Sequence, residues 1–256
     1  MGAGHLHPLS VPGPSPLHAL RPHTKVVATL LFVFAVVSTP REAFWAYGAH
    51  AGILAALAGL GHVQARILAP RLVLEAPFLT FALLLPFLAR GERVEVLGLL
   101  HLSSDGLWAA WNILAKGTLG LTASLLLVAT TPTVDLLRGL ERLRVPPVFT
   151  SIASFMLRYV EVIAAELRRM QVARVSRGHD PRWIWQARAI ASTVGAVFVR
   201  TFERGERVHL AMVSRGYTGS MPPTGARPAA AAEWAAVLLV PLSAAVVSVA
   251  AWSTIG

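Results

Sequence analysis

The chain has 256 residues, of which 55% are hydrophobic and 14% are charged, and its formal net charge is +10. This composition is typical of membrane proteins rather than of soluble domains. The chain has no cysteine, which excludes disulfides, thiolate metal sites and thiol nucleophiles. The first 25 residues are rich in His and Pro and have no apolar core, so we expect no cleavable signal peptide.

Five apolar segments are each near the ~20 residues that are needed to cross the hydrocarbon core of a bilayer. They are residues 22–39, 43–60, 72–89, 107–131 and 233–255. Basic residues flank one side without acidic neighbours, namely Arg21, Lys25, Arg66 and Arg71, whereas the charges of the opposite loops nearly cancel. The positive-inside rule therefore predicts a cytoplasmic N-terminus, and five crossings place the C-terminus outside.

Residues 132–228 separate the fourth and fifth segments and carry 15 arginines against seven acidic residues. Apolar residues recur there at steps of three and four between Phe149 and Met170, and again between Trp183 and Val208, which predicts two long amphipathic helices. A shorter helix is predicted over 133–144. The expected fold is an all-α polytopic membrane protein with about five transmembrane helices. Its expected divisions are 1–131 with the first four helices, 132–228 as a cytoplasmic helical coupling region, and 229–256 with the last helix.

The tetrapeptide Val-Ser-Arg-Gly occurs twice, at 175–178 and 213–216, and each copy ends a periodic helical stretch. Glycine ends helices because it adopts the left-handed conformation at low cost. The preceding Arg carries a planar guanidinium at the end of the helix, which suits a carboxylate in a groove. One copy would be an ordinary helix cap, but two copies predict that the chain binds a partner that has two equivalent sites. The candidate residues are Ser176, Arg177, Gly178, Ser214, Arg215 and Gly216.

The chain resembles the transmembrane T component of energy-coupling factor (ECF) transporters over about residues 17–220. The resemblance rests on the stretch from Thr130-Thr131-Pro132 to Pro146-Pro147, on Arg158-Tyr159, on the first Ser-Arg-Gly, and on the run from Ala211 to Tyr217. The similarity is to the CbiQ branch, which is linked to cobalt and nickel uptake. The family motif usually reads Ala-Arg-Gly, and both copies here have Ser, which is small enough to leave the role intact.

This resemblance implies that Arg177 and Arg215 dock into grooves on two ABC-type ATPase subunits (CbiO-like), which bind ATP and Mg²⁺. It also implies that the long helices transmit closure of the ATPases to a membrane S component (CbiM-like), which binds the substrate. The chain itself would have no catalytic residue, cofactor or metal. It would lie in the cytoplasmic membrane of a prokaryotic cell.

The residues agree with a chain that depends on partners for energy. No G-x-x-x-x-G-K-[ST] motif is present, so we expect no ATPase activity from the chain alone. The nine His residues lack an H-x-x-x-H spacing, so we expect no metal site. The basic residues occupy particular loops, which favours membrane orientation over nucleic-acid binding.

Some residues leave alternatives open. Glu75 is an acid in or near the third segment, and we interpret it as a boundary residue that pairs with Arg71. Gly48, Gly52 and Ala56 form a small-residue face that packs either within the fold or against the S subunit.

Three other functions remain as alternatives. A vitamin importer would use the same kind of T subunit. An ordinary ABC permease subunit would contain its own translocation path, and neither a paired-domain architecture nor an EAA-type loop is present. An intramembrane enzyme would need clustered polar groups, and Glu75, His50 and Asn112 are too scattered in the sequence to predict a site.

Overall fold

The computed structural model describes residues 15–64, 66, 73, 75–89, 93–96, 100–178, 187–219 and 229–255. Within these residues it has nine helices and one hairpin. The helices are α1 (Pro16–Ala19), α2 (Pro22–Ser38), α3 (Phe44–Leu60), α4 (Ala76–Leu88), α5 (Ser104–Thr130), α6 (Thr133–Arg142), α7 (Pro147–Ser176), α8 (Ala187–Val213) and α9 (Ala231–Ile255). The predicted all-α membrane class is confirmed.

The hairpin is an addition that the sequence analysis does not predict. Strand β1 (Arg93–Val96) pairs antiparallel with β2 (Leu100–Ser103), and Arg93 lies opposite Ser103. Ser103 also begins α5, because its hydroxyl accepts a hydrogen bond from the backbone N–H of Gly106. The helix therefore starts at Ser104, three residues before the predicted fourth segment.

The described chain forms two compact units. The membrane unit comprises the described residues of 8–139 and 226–256, and the coupling unit comprises those of 140–225. By length and composition, three described helices could cross a membrane, namely α5, α7 and α9, and the apolar helices α2, α3 and α4 are shorter. The chain is therefore a multi-pass membrane protein.

The core of the membrane unit forms where α2, α3, α5 and α9 meet. Its buried members include Phe32, Val36, Tyr47, Leu54, Leu119, Ala123 and Ala244. Small residues such as Ala123 and Ala244 allow helix backbones to approach closely, which is how helices pack in a bilayer. Exposed apolar residues cover the outside of α2 and α4, as expected for surfaces in contact with lipid.

Contacts at both ends of α2 define the directions of its neighbours. The first turn of α2 contacts the end of α5 and the start of α9. The last turn contacts the first half of α5, through Lys116, and the end of α9, through Trp252. Helix α5 is therefore antiparallel to α2, and α9 is parallel to it. It follows that the chain leaves α5 and returns into α9 at the same end of the membrane unit.

Helix α4 is shorter than the predicted third segment. It has 13 residues, so it spans only about 20 Å at the usual rise per residue. Residues 67–72 and 74, which precede it, lie outside the described residues. Pro77 lies in the first turn, where proline is tolerated, and Pro86 lies inside the helix. Helix α5 packs tightly against this part of α4, since a Cβ on Gly106 would lie 2.6 Å from the carbonyl oxygen of Leu85.

Helix α6 ends at Arg142, two residues before the predicted end. Arg144 adopts a left-handed φ of 62°. The backbone N–H of Val145 donates to Leu140 O, and that of Arg144 donates to Glu141 O. These two hydrogen bonds form a Schellman motif, which ends the helix without a glycine.

Candidate coupling site

Helix α7 ends in the first Ser-Arg-Gly. Ser176 is its last residue, and Arg177 is its C-cap. Gly178 has φ +76°, and its N–H donates to Val175 O at 2.9 Å. The Ser176 hydroxyl donates to Val172 O, four residues earlier, at 3.0 Å. The predicted left-handed glycine is therefore confirmed at this position.

The second Ser-Arg-Gly has the same local geometry at the end of α8. Gly216 has φ +86°, and its N–H donates to Val213 O at 2.9 Å. The N–H of Tyr217 donates to Met212 O at 3.0 Å, which completes a Schellman motif. The Ser214 hydroxyl donates to Leu210 O at 2.6 Å, again four residues earlier. The left-handed glycine is confirmed here as well.

The two arginines occupy equivalent positions. Each is the residue before a left-handed glycine, and each follows a Ser that is bonded to the carbonyl four residues earlier. Both arginines are exposed, and within the described residues neither makes an ion pair. The partial negative charge at a helix C-terminus favours a cation there. The geometry therefore presents two guanidinium groups that an acidic partner could bind in the same way.

One ion-pair cluster connects α7 to α8 within the coupling unit. Glu166 of α7 accepts a hydrogen bond from Arg200 of α8 at 2.7 Å, and it also pairs with Arg169 on its own helix. Arg177 lies 11 residues beyond Glu166 and Arg215 lies 15 residues beyond Arg200, or roughly 16 Å and 22 Å along the helix axes. The two motifs therefore lie at the ends of two helices that this ion pair connects.

Helices α7 and α8 also expose apolar side chains. Those more than half exposed include Val148, Phe149, Ile152, Met156, Val172, Val175, Val194, Phe198, Val199, Phe202 and Leu210. The predicted periodicity is therefore present, and a large part of the apolar face has no cover from the described residues of the chain. The part of the second predicted helix around Trp183 lies outside the described residues.

Polar residues that look scattered in the sequence meet inside the membrane unit. The Thr39 hydroxyl lies 3.1 Å from His50 Nε2 and 2.9 Å from the Ser248 hydroxyl. The Tyr47 hydroxyl donates to Thr39 O and to Asn112 Oδ1. This cluster joins α3, α5 and α9 to the end of α2. Sequence reasoning missed it because its members come from helices up to 209 residues apart.

The chemistry of this cluster is that of a helix crosslink. The Ser248 hydroxyl lies within hydrogen-bonding distance of Ala35 O and Ala244 O, and that of Thr39 is 3.0 Å from Ala35 O. Hydroxyls that are bonded in this way satisfy buried carbonyls. No acidic residue takes part in the hydrogen bonds described for the cluster, so it lacks the third member of an activated nucleophile, base and carboxylate set.

Glu75 does not occupy the boundary position that the sequence analysis assigns to it. The Thr118 hydroxyl donates to its carboxylate at 2.6 Å, and Glu75 is buried. Thr118 lies 12 residues before the end of α5, about 18 Å along the helix. The acid is therefore at mid-helix depth and bonded to α5. Arg71, its predicted partner, lies outside the described residues.

The small-residue face of α3 has no partner within the described fold. A Cβ placed on Gly48 or Gly52 would meet nothing within 4 Å, and Ala56 is exposed. Of the two predicted alternatives, packing against another described helix is therefore wrong. No group of three metal-ligating side chains occurs among the described residues.

The sequence is similar to known proteins over most of its length. Residues 13–224, which include both Ser-Arg-Gly copies, match the family model described as CbiQ, cobalt transport protein. The energy-coupling factor transporter transmembrane protein EcfT of Thermanaerovibrio acidaminovorans is 30% identical over 251 residues, or 92% of each chain. The cobalt transport protein CbiQ of Rhodobacter capsulatus is 37% identical over 105 residues, or 41% of this chain and 43% of that protein.

A third relative is a putative fused cobalt transport protein CbiMQ of Methanocorpusculum labreanum. It is 27% identical over 121 residues, which are 47% of this chain and 20% of that protein. The family match covers most of the chain, and the EcfT relative matches it nearly end to end. The chain therefore belongs to the CbiQ family and is a transmembrane T component of an energy-coupling factor transporter.

Proposed function

We propose that this chain couples ATP-driven closure of two ABC-type ATPase subunits to the movement of a substrate-binding S subunit in the membrane. Arg177 and Arg215 would each enter an acidic groove on one ATPase. The energy would come from the partners, which bind ATP and Mg²⁺. The chain would act mechanically and would carry out no chemical step itself.

The observation that carries this proposal is the equivalence of the two helix ends. Both arginines precede a left-handed glycine in the same capping geometry, and both are exposed. ATPases of this class act as dimers with two equivalent grooves, so a single-chain partner needs two matching contacts. The uncovered apolar side chains of α7 and α8 offer a surface on which the S subunit could pack.

We infer that the transported substrate is cobalt or nickel. Support comes from the family description and from the name of the Rhodobacter relative, both of which refer to cobalt transport. The fused CbiMQ name supports a CbiM-like S subunit as the partner. A vitamin importer is the alternative, because the EcfT relative that covers 92% of the chain has no metal in its name.

We further propose that the chain lies in a prokaryotic cytoplasmic membrane, with its N-terminus and residues 132–228 in the cytoplasm. Support comes from the return of the chain into α9 at the end of the membrane unit where α5 finishes. If α7 crossed the membrane once, the end of α5 and the start of α9 would lie on opposite sides of the membrane. The basic residues of 132–228 then lie where the positive-inside rule expects them.

Substitution of both arginines tests the coupling role. If each guanidinium enters an acidic groove, Arg→Ala leaves a carboxylate unpaired and costs about 2–5 kcal/mol at that contact. Lys should restore the interaction only in part, since a point charge cannot form a bidentate pair. Two contacts on one complex give avidity, so the double Ala variant should lose the ATPases far more completely than either single variant. The measurement is co-purification of the ATPase subunits from membranes.

Two matched controls remove the same charge from the same helices. Arg168 on α7 and Arg207 on α8 are exposed and lie outside the motifs, so their Ala variants should retain the ATPases. If the Arg177→Ala, Arg215→Ala double variant co-purified with the ATPases at the level of the unsubstituted chain, both motifs would act only as helix caps. Uptake of Co²⁺ and Ni²⁺ by cells that express the complete transporter then tests the substrate separately.

A further inference from the structure

The first turn of α2 holds both ends of residues 132–228. This segment begins just after α5 and ends just before α9. Each junction is bonded to residues 21–25, although the two junctions are about a hundred residues apart in the sequence. The charge pattern uses Arg21 and Lys25 to predict membrane orientation. In the structure these two residues also bind the two junctions.

The outgoing junction is bound by Lys25. Its Nζ donates to Thr130 O at 3.0 Å and to the Thr131 hydroxyl at 3.1 Å. Thr130 is the last residue of α5, so the ammonium caps a carbonyl that the helix leaves without a partner. Lys25 is only 7% exposed and Thr131 only 2%, so the contact is shielded from water. Pro132 and helix α6 follow directly.

Helix α6 also rests on the same turn. A Cβ on Gly139 would lie 3.0 Å from the backbone nitrogen of His23 and 3.1 Å from the carbonyl carbon of Pro22. The absence of a side chain at this position therefore allows α6 to approach the backbone of α2.

The returning junction is bound by Glu233, in the first turn of α9. Its Oε1 accepts the backbone N–H of Arg21 at 2.7 Å, and its Oε2 lies 3.3 Å from Arg21 Nε. The Thr24 hydroxyl donates to Oε1 at 3.5 Å. Beside this contact the rings of His23 and Trp234 meet edge to face, with centroids 5.7 Å apart. Both carboxylate oxygens are therefore engaged by one turn of α2.

We propose that Arg21, Lys25 and Glu233 form a clasp through which movement of residues 132–228 reaches the membrane helices. The clasp joins the outgoing and returning chain to α2, so a displacement of either junction moves α2 with it. The three residues are positioning residues, since they touch neither ATPase nor substrate. The inference rests on the proposed function, because it assumes that the ATPases move residues 132–228.

The test uses Lys25→Met in the complete transporter, with Lys116→Met as a matched control. Lys116 Nζ also donates to a helix carbonyl in the membrane unit, Val37 O at 2.7 Å, but at the far end of α2. Hydrogen exchange of the assembled complex is measured with and without a non-hydrolysable ATP analogue. In the unsubstituted protein the analogue should change exchange in α7 and α8 and also in the first turns of α2 and α9.

In Lys25→Met the nucleotide-dependent change in hydrogen exchange should remain in α7 and α8. In α2 and α9 this change should become at least about 5-fold smaller, since measured couplings between two sites begin at about that factor. Lys116→Met should match the unsubstituted protein. A merely structural role would lower the stability of the complex without abolishing the nucleotide-dependent difference selectively in α2 and α9. An undiminished response of α2 and α9 in Lys25→Met would overturn the clasp.

A charge exchange provides a second, independent result. Arg21→Glu and Glu233→Arg should each reduce the nucleotide-dependent change in hydrogen exchange of α2, and the two substitutions together should recover part of it.

If Lys25→Met fails to assemble, Glu233→Gln provides the test instead. It retains an acceptor for the N–H of Arg21 and loses only the ion pair, so a full response in α2 and α9 would overturn the clasp. No response in α7 and α8 of the unsubstituted complex would instead refute the proposed function.

Discussion

The two left-handed glycines allow a sharp test of how the arginines are held. In Gly216→Ala the new Cβ meets nothing within 4 Å, so the change adds no steric contact with the rest of the chain. The cost is that of the backbone, since a φ of +86° is unfavourable for an L-residue by about 1–2 kcal/mol. The same reasoning applies to Gly178, with φ +76°.

This cost should appear as fraying at the end of α8. The N–H groups of Gly216 and Tyr217 close the cap on Val213 O and Met212 O. A loss of about 1–2 kcal/mol should speed their exchange with solvent by roughly 5- to 30-fold. Because Arg215 precedes the glycine, it would then be held less firmly, and co-purification of the ATPases should weaken. Gly216→Asn should do less harm, since Asn tolerates the left-handed region.

Two other glycines of α8 serve as controls. Gly195 and Gly205 lie inside the helix, and a Cβ at either position also meets nothing within 4 Å. Their Ala variants should stabilise α8 by up to about 1 kcal/mol, because Gly is the weaker helix former. Gly→Ala should thus destabilise α8 at position 216 and stabilise it at positions 195 and 205. Exchange at Tyr217 that is equally slow in Gly216→Ala and in the unsubstituted chain would refute the reasoning.

Two predictions concern the membrane unit. Gly106→Ala should destabilise it by about 1–3 kcal/mol, because the added Cβ would lie 2.6 Å from Leu85 O. Gly120→Ala should be tolerated, because the nearest atom to its Cβ, on the side chain of Val33, is 4.0 Å away. Thermal unfolding in detergent compares the two variants. Single Cys residues at Gln64, Arg41 and Thr254, all exposed, should label from the cytoplasm, the outside and the outside respectively. Labelling of Thr254 from the cytoplasm would contradict the five-crossing topology.

The helix ends of the coupling site could be predicted because their causes are local. Each Ser-Arg-Gly combines the end of an apolar period with a residue that accepts a left-handed φ, and both signals lie within a few residues of each other. The end of α6 shows the limit of such signals. Arg144 adopts φ 62° without being glycine, so the sequence contains no sign of the stop except the prolines that follow.

The contacts within the membrane unit could not be predicted, since they depend on which helix faces meet. His50 and Asn112 look isolated in the sequence, yet Tyr47 and Thr39 link them. Lys25 and Glu233 belong to segments about two hundred residues apart, and only the parallel packing of α2 with α9 brings them to one turn. An apolar period identifies a face of a helix, but it contains no information about the partner of that face.

The ion pair between Glu166 and Arg200 limits how the two arginines can move in the proposed mechanism. The helices beyond this contact extend roughly 16 Å and 22 Å to the two motifs. If the contact holds, a change in the spacing of the two ATPase grooves must change the angle between α7 and α8. If it breaks, the loss is small, because water and salt screen an ion pair that is open to solvent. In the proposed mechanism the angle between the two helices can therefore change at this contact, and α7 would pass the movement along the chain to α6, which directly precedes it.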